Sequence, residues 1–233
     1  MKITEQNHHD DLANILRSEA LREITNRGII HIGAHEGEEV EQYLAQGFQK
    51  VVLIEANPHW FEILLRKFGD DARIKIFNYA ICDRNGVIDL HIHTSRSGST
   101  EPASILPMKR FKEIVRTLHT PNTVPVPAIT LDGLFETHDL DPGEYNFINI
   151  DIQGAELLAF RGASKALAAA DVVISEVNLL EMYEGGPLEE EIVKFLSQCG
   201  FEKKDVVYHT LYDESSTFPA WGECLFVKRV PSR

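Results

Sequence analysis

Short apolar runs that each stop on a glycine or a carboxylate constrain the fold of this chain more than any other feature. Residues 29–32 stop at Gly33, 51–54 at Glu55, 145–150 at Asp151 and 171–175 at Glu176. Runs of this length, rich in Ile and Val, read as strands buried on both faces, as in a parallel sheet. Helical patterns separate them. Glu38 to Ala45 follows the first run, Asn57-Pro58 opens a helix carrying Phe61, Leu64 and Leu65, and residues 188–199 close at Gly200. The alternation predicts a doubly wound α/β fold, a parallel sheet with helices on both faces and a ligand crevice at the carboxyl ends of the strands. Glu55, Asp151 and Glu176 all fall at that edge.

Local signals assign the rest. Asp10 or Asp11 caps a helix whose apolar positions Leu12, Ile15, Leu16, Leu21 and Ile24 end near Gly28, so an N-terminal helical segment over 1–27 is expected to cover the sheet of a single domain over 28–233. Residues 74–79 read as a third strand. After Asn85-Gly86, Val87 to His93 alternates with period two, a local excursion from the parallel sheet. The stretch 94–107, with Ser97-Gly98-Ser99-Thr100, has no period and is either a surface loop or a lid. The prolines of 120–127 suit an edge or connector, Thr130 caps a helix through Phe135, and 201–208 with 224–230 supply two closing strands.

A chain of 233 residues, 43% hydrophobic and 25% charged, suits one globular domain. Lys+Arg 23 against Asp+Glu 36 gives a net charge of −13, which argues against nucleic acid or a membrane surface as partner. Cys82, Cys199 and Cys224 have no metal-ligand spacing and read as apolar fillers in a reduced setting. No signal-peptide core is present and no apolar run approaches the ~20 residues of a membrane span, so a cytoplasmic protein is expected.

The glycine turn narrows the ligand. Gly33 and Gly37 let a ligand approach bare backbone, and Glu55, about twenty positions on, is placed to accept both hydroxyls of a ribose. A dinucleotide fingerprint needs a third glycine to close around a pyrophosphate, and none is present. The loop therefore suits a nucleoside ligand without phosphates, and S-adenosylmethionine is one.

Several segments together resemble the FkbM-type family of S-adenosylmethionine-dependent methyltransferases. They are Gly33-Ala34-His35-Glu36-Gly37, Glu55-Ala56-Asn57-Pro58, Asn78-Tyr79-Ala80-Ile81, Thr130-Leu131-Asp132-Gly133-Leu134, Ile150-Asp151-Ile152-Gln153-Gly154-Ala155-Glu156 and Ser175-Glu176-Val177. The resemblance implies a seven-stranded Rossmann-like methyltransferase sheet with one antiparallel strand at an edge, and O-methylation of a hydroxyl on a sugar, polyketide or related small metabolite. It makes His31, Gly33, Ala34, Gly37, Glu55, Ala56, Asn57, Asn78, Ala80 and Asp151 the expected cofactor-binding residues. Four positions depart from the family pattern: His31 stands where Asp is usual, His35 where Asn is, Gln153 where Glu is, and Asn149 where Lys often is. A charged imidazole at 31 would repel the cofactor's ammonium.

Methyl transfer to a hydroxyl needs in-line positioning and a group to take the proton. Asp151, opposite Gly33, is the first candidate, Glu176 would face the acceptor, and His35 in the cofactor loop is a further candidate base. Asp151 and Glu176 could alternatively share a divalent cation. The other histidines read as bland: His8 and His9 before a helix, His91 and His93 as a surface pair, His119 and His209 in loops. Two other functions fit the same residues, a dinucleotide-dependent oxidoreductase and a cofactor-binding module without catalysis.

Overall fold

The structure, a computed structural model, describes residues 2–3, 8–94, 100–110, 122–213 and 216–229. In chain order the strands are β1 (Lys2–Ile3), β2 (Gly28–Ile32), β3 (Lys50–Ile54), β4 (Ile74–Phe77), β5 (Ala80–Ile81), β6 (Gly86–Thr94), β7 (Thr100–Ser104), β8 (Asn122–Ile129), β9 (Phe147–Ile150), β10 (Val172–Asn178), β11 (Phe201–Asp213) and β12 (Ser216–Lys228). The helices are α1 (His8–Leu16), α2 (Val40–Ala45), α3 (Pro58–Phe68), α4 (Leu131–Thr137), α5 (Glu156–Arg161), α6 (Ser164–Ala169) and α7 (Glu189–Gln198).

The main sheet has the order β1-β11-β12-β10-β9-β2-β3-β4. Its centre, from β4 to β10, is parallel, while β12 runs antiparallel to both β10 and β11. The reversed strand arises because β11 and β12 form one long hairpin, and β1 adds a short edge beyond the seven longer strands. Both faces of the sheet are covered. Ile30, Ile32, Val52, Ile54, Ile148 and Ile150 point to one face, against Leu134, Phe135, Phe160 and Leu196. Ile29, Val51, Leu53, Phe147 and Ile174 point to the other, against Leu12, Ile15, Val40, Tyr43 and Leu64. Each fully buried aliphatic or aromatic side chain contributes about 1.5–3 kcal/mol, so the sequence must be apolar at consecutive positions of these strands.

A second sheet, β5-β8-β6-β7, stands beside the first. It absorbs the expected excursion at 87–93 and also 122–129, which is a strand and not a connector, internal at Ala128 and Ile129 and an edge at its prolines. Pro125 and Pro127 are tolerated because β5 pairs only with Ala128 and Ile129, leaving that side of β8 an edge at the prolines. Residue 100 and those up to 104 form β7; Ser97, Gly98 and Ser99 lie outside the described residues, as does His119.

Other boundaries moved for identifiable reasons. Helix α1 starts at His8, so Asp10 and Asp11 lie within it, and it ends at Leu16, where Ser18 accepts a hydrogen bond from Ala20 N and opens a separate 3-10 turn, Glu19–Leu21. Strand β4 stops at Phe77 because Asn78 turns inward and donates to Glu55 O (2.7 Å) and Ala56 O (3.1 Å). Strand β10 runs past Glu176 to Asn178, with Glu176 paired opposite Glu223. His93 is buried, not at the surface, and His209 is buried in β11, stacked on Trp221 at 5.4 Å. No helix among the described residues is long and apolar enough to cross a membrane.

Candidate active site

Beyond the carboxyl ends of β2, β3 and β9, the turn after β2 is set by its two glycines, both filled from behind by protein. Gly33 has φ +88°, and an added Cβ would overlap the carbonyl oxygen of Asp151, so the β2 and β9 loops touch backbone to backbone. Gly37 has φ +78°, and a Cβ there would run into Phe68 and Leu64 of α3. On this side the glycines let the loops and α3 close on one another, while Gly33 also lines the cleft. His35 between them is also left-handed, φ 47°.

Glu55, at the end of β3, locks this turn. Its Oε2 accepts from His35 N (2.8 Å) and its Oε1 from Asn57 N (2.7 Å). Burial pushes the carboxyl above its ordinary value, opposed by the backbone N–H groups of Asn57 and His35. Each oxygen keeps a second lone pair for a ligand.

Glu55 is one wall of a cleft of about 160 Å³ that opens to solvent. Ala56 and Trp60 continue that wall, Ile32, Ile54 and Ile81 form the floor, Ala80, Leu90, Ala103 and Ile105 come from the second sheet and its flank, and Asp151 to Gln153 close the far side. The His35 ring lies 4.0 Å from Trp60, its Nδ1 3.1 Å from Glu38 Oε1. Burial opposes its protonation, but Glu38, Glu55 and Glu36 outweigh burial and raise its pKa.

The cleft brings together Gly33, His35, Glu55, Ala56, Ala80 and Asp151 of the expected site. Ala34, Gly37, Asn57 and Asn78 do not line it: Asn57 caps α3 by accepting from His59 N (3.0 Å), and Asn78 ties down the end of β3. His31 does not line it either. Its ring is buried against Tyr43, whose hydroxyl accepts from Asn149 Nδ2 (2.7 Å) and donates to His31 Nδ1 (3.2 Å). Burial lowers its pKa to about 4, against the pull of Asp151 and Glu38, so the imidazole is neutral and the anticipated repulsion does not arise. Two of the departures, His31 and Asn149, thus complete one buried hydrogen-bonded chain.

The far wall is acidic. Asp151, Glu156 and Glu176 bring carboxylate oxygens within 4.8 Å of one another. These groups do not fit a shared cation. Gln153 Nε2 sits between two of them, donating to Asp151 Oδ1 (2.7 Å) and Glu176 Oε2 (3.1 Å). Asn178 Nδ2 takes Glu176 Oε1, and Glu156 Oε1 accepts from Ile152 N and Gly154 N, both at 3.1 Å. Burial, then the charges of Asp151, Glu156 and Glu223, hold the Glu176 carboxyl well above its ordinary value. Glu176 therefore stands behind Gln153 and does not face the cleft as expected.

Sequence reasoning missed Trp60, Tyr79, Ile105 and Tyr183 as parts of the site. Trp60 was signalled by its place in the first turn of the helix after Glu55. Ile105 and Tyr183 had no local signal, because each reaches the site through a tertiary contact.

Comparison with known proteins matches residues 31–203 to the family described as Methyltransferase FkbM domain. The 2-O-methyltransferase NoeI of Sinorhizobium fredii (strain NBRC 101917 / NGR234) is 25% identical over 161 residues, covering 67% of this chain and 65% of that protein, just under two thirds of its length. Among solved structures, precorrin-6y C5,15-methyltransferase from Geobacter metallireducens GS-15 shares the fold at 12% identity and TM-score 0.51, covering 98% of this chain and 94% of that one. Magnesium protoporphyrin IX methyltransferase (ChlM) from Synechocystis PCC 6803, solved with bound SAM, aligns at 12% identity and TM-score 0.45, covering 94% and 77%. The family match begins near the end of β2, takes in the whole cleft edge and ends in β11, so the chain belongs to the FkbM family of S-adenosylmethionine-dependent methyltransferases.

Proposed function

We propose that the protein transfers the methyl group of S-adenosylmethionine to a hydroxyl oxygen of a small-molecule or saccharide acceptor, with Asp151 receiving the hydroxyl proton. The single observation that carries this reading is the position of Asp151: it lines the same cleft as Glu55, with Oδ1 held by Gln153. The residues fit the cofactor. Glu55 offers a buried carboxylate to ribose hydroxyls beside an apolar compartment of Ala80, Ile81 and Leu90, and Gly37 is packed by Phe68, so the turn leaves no open nest of N–H groups for a pyrophosphate. That geometry favours S-adenosylmethionine over a dinucleotide.

When bound, the cofactor supplies a methyl carbon made electrophilic by its sulfonium. The chain is left to orient an acceptor and accept a proton. Asp151 is better placed for the second task than His35, whose Nδ1 is engaged by Glu38. The 2-O-methyltransferase named among the relatives supports oxygen as the methylated atom.

The test is S-adenosylhomocysteine release with a panel of neutral glycosides and phenols, in the parental protein and in Asp151→Asn. Turnover is expected to fall by roughly 10²–10⁴-fold in the variant, while its S-adenosylmethionine affinity by calorimetry stays within about threefold, since Asn keeps the shape. Asp151→Asn turning over at the parental rate removes Asp151 as proton acceptor. Tighter binding of NAD than of S-adenosylmethionine overturns the cofactor assignment.

A further inference from the structure

Gln153 is the most constrained side chain of the cleft. Its backbone is left-handed, φ 56°, a conformation that persists in a non-glycine residue only where surroundings enforce it. The enforcement comes from several elements. Ser104 Oγ of β7 donates to Gln153 O (2.8 Å), itself fixed by Leu106 N (3.0 Å). Tyr183 Oη donates to Gln153 Oε1 (2.6 Å), and its ring packs where a side chain on residue 154 would be, so Gly154 admits it. That hydroxyl donates to the amide oxygen, which turns the amide nitrogen toward the two carboxyl groups on the other side. The amide can therefore face one way, and both of its N–H groups are used, one on Asp151 Oδ1 and one on Glu176 Oε2.

We propose that Gln153 is the positioning residue of the site: its amide fixes Asp151 through Oδ1 and draws Glu176 away through Oε2, so that Asp151 Oδ2 alone is presented to the acceptor hydroxyl. This rests on the reading of Asp151 as proton acceptor. No hydrogen bond to Oδ2 occurs among the described residues, and Asp151 lines the cleft while Glu176 does not. A carboxylate at position 153 would instead add a further acid beside Asp151, Glu156 and Glu176; the neutral amide donates to two of these groups and adds no charge. The groups facing Asp151 are Glu176 from β10, Glu156 from α5, Tyr183 from the loop after β10 and His31 from β2, with Glu223 of β12 behind Glu176.

The experiment needs no acceptor. Protein carrying 13C at its side-chain carboxyls is titrated by NMR from pH 4 to 9, with the Asp151 signal assigned by its loss in Asp151→Asn. Gln153→Asn keeps a residue that tolerates the left-handed backbone but is one methylene too short to reach both carboxyls; Tyr183→Phe removes the hydroxyl that aims the amide. In each, the Asp151 midpoint is expected to rise by about one pH unit, because the donor to the ionised form is lost in Gln153→Asn and no longer aimed in Tyr183→Phe. In Tyr183→Phe, whose side chain does not line the cleft, S-adenosylhomocysteine affinity by calorimetry is expected within about twofold of parental. A role in folding alone would leave the midpoint where it is. An unmoved midpoint in both variants, with S-adenosylhomocysteine still bound, overturns the inference about Gln153 and leaves the cofactor reading standing. Failure of the parental protein to bind S-adenosylhomocysteine overturns the cofactor reading and this inference with it. Should Gln153→Asn not fold, Tyr183→Phe, one oxygen smaller, carries the test.

Discussion

Glu55 holds the loop architecture and, in the proposed function, the ligand with one carboxylate. Its oxygens already accept from His35 N and Asn57 N, so removing them both weakens a ligand contact and orphans two backbone donors. Glu55→Ala is accordingly expected to lower cofactor affinity by roughly 10–150-fold, the worth of a charge-assisted hydrogen bond. It is also expected to lower unfolding stability by about 1–3 kcal/mol for the unsatisfied N–H groups. Calorimetry with S-adenosylhomocysteine and urea unfolding measure the two separately; an unchanged dissociation constant removes Glu55 from the cofactor site. His31 teaches a different lesson at the same scale. It stands in sequence where a cofactor contact is expected, yet the side chain of a strand residue faces one side of the sheet or the other, and this one faces Tyr43.

Helix α3 carries Trp60 into the cleft wall, and its start is held by Asn57, whose side chain accepts from His59 N, with Pro58 at the first helical position. Asn57→Ala is expected to cost about 1 kcal/mol of stability and to weaken S-adenosylhomocysteine binding less than Glu55→Ala does, which thermal unfolding and calorimetry on the two variants will rank. The central strands were legible in the sequence because both their faces are buried: 29–32, 51–54 and 147–150 have to be apolar at every position or nearly so. The caps at Asn57 and Thr130 were legible because capping is a contact between near neighbours. Strand β7 was not, since what makes 100–104 a strand is pairing with β6 and not any period of its own. Nor was the Gln153 cluster, in which Ser104, Glu176 and Tyr183 meet across long stretches of chain. The acids at 55 and 151 showed where the cleft lies, but the same signal at 176 marked a residue behind it.

Across the whole molecule, the buried acidic corner makes stability depend on pH. Burial, then the charge of Asp151, raises the Glu156 pKa from 4.5 to about 7, against the N–H groups of Ile152 and Gly154. The folded protein therefore holds this proton where the unfolded chain has released it, and the associated stability is fully present below about pH 4.5 and is lost as pH rises through about 7. The size of that loss is on the order of 3 kcal/mol. Glu156→Gln keeps an acceptor for both N–H groups without the charge. Its melting temperature is expected to fall less than that of the parental protein between pH 5 and 8; parallel curves would show that Glu156 does not titrate in this window. The second sheet has another consequence. The chain enters it at Ala80 and Ile81 and leaves at Ala128 and Ile129, and these residues pair directly with one another, with Cys82 N donating to Ile129 O at 3.1 Å. Departure and return share this neck, and the described residues between them reach back to the main sheet a second time, through Ser104 to Gln153 and through residues 107–109 to residues 182–184. Leu90, Ala103 and Ile105 of the cleft wall and Ser104, which holds Gln153, therefore travel on one stretch of chain, so a change in how that stretch is seated is expected to alter the wall and the setting of Asp151 together.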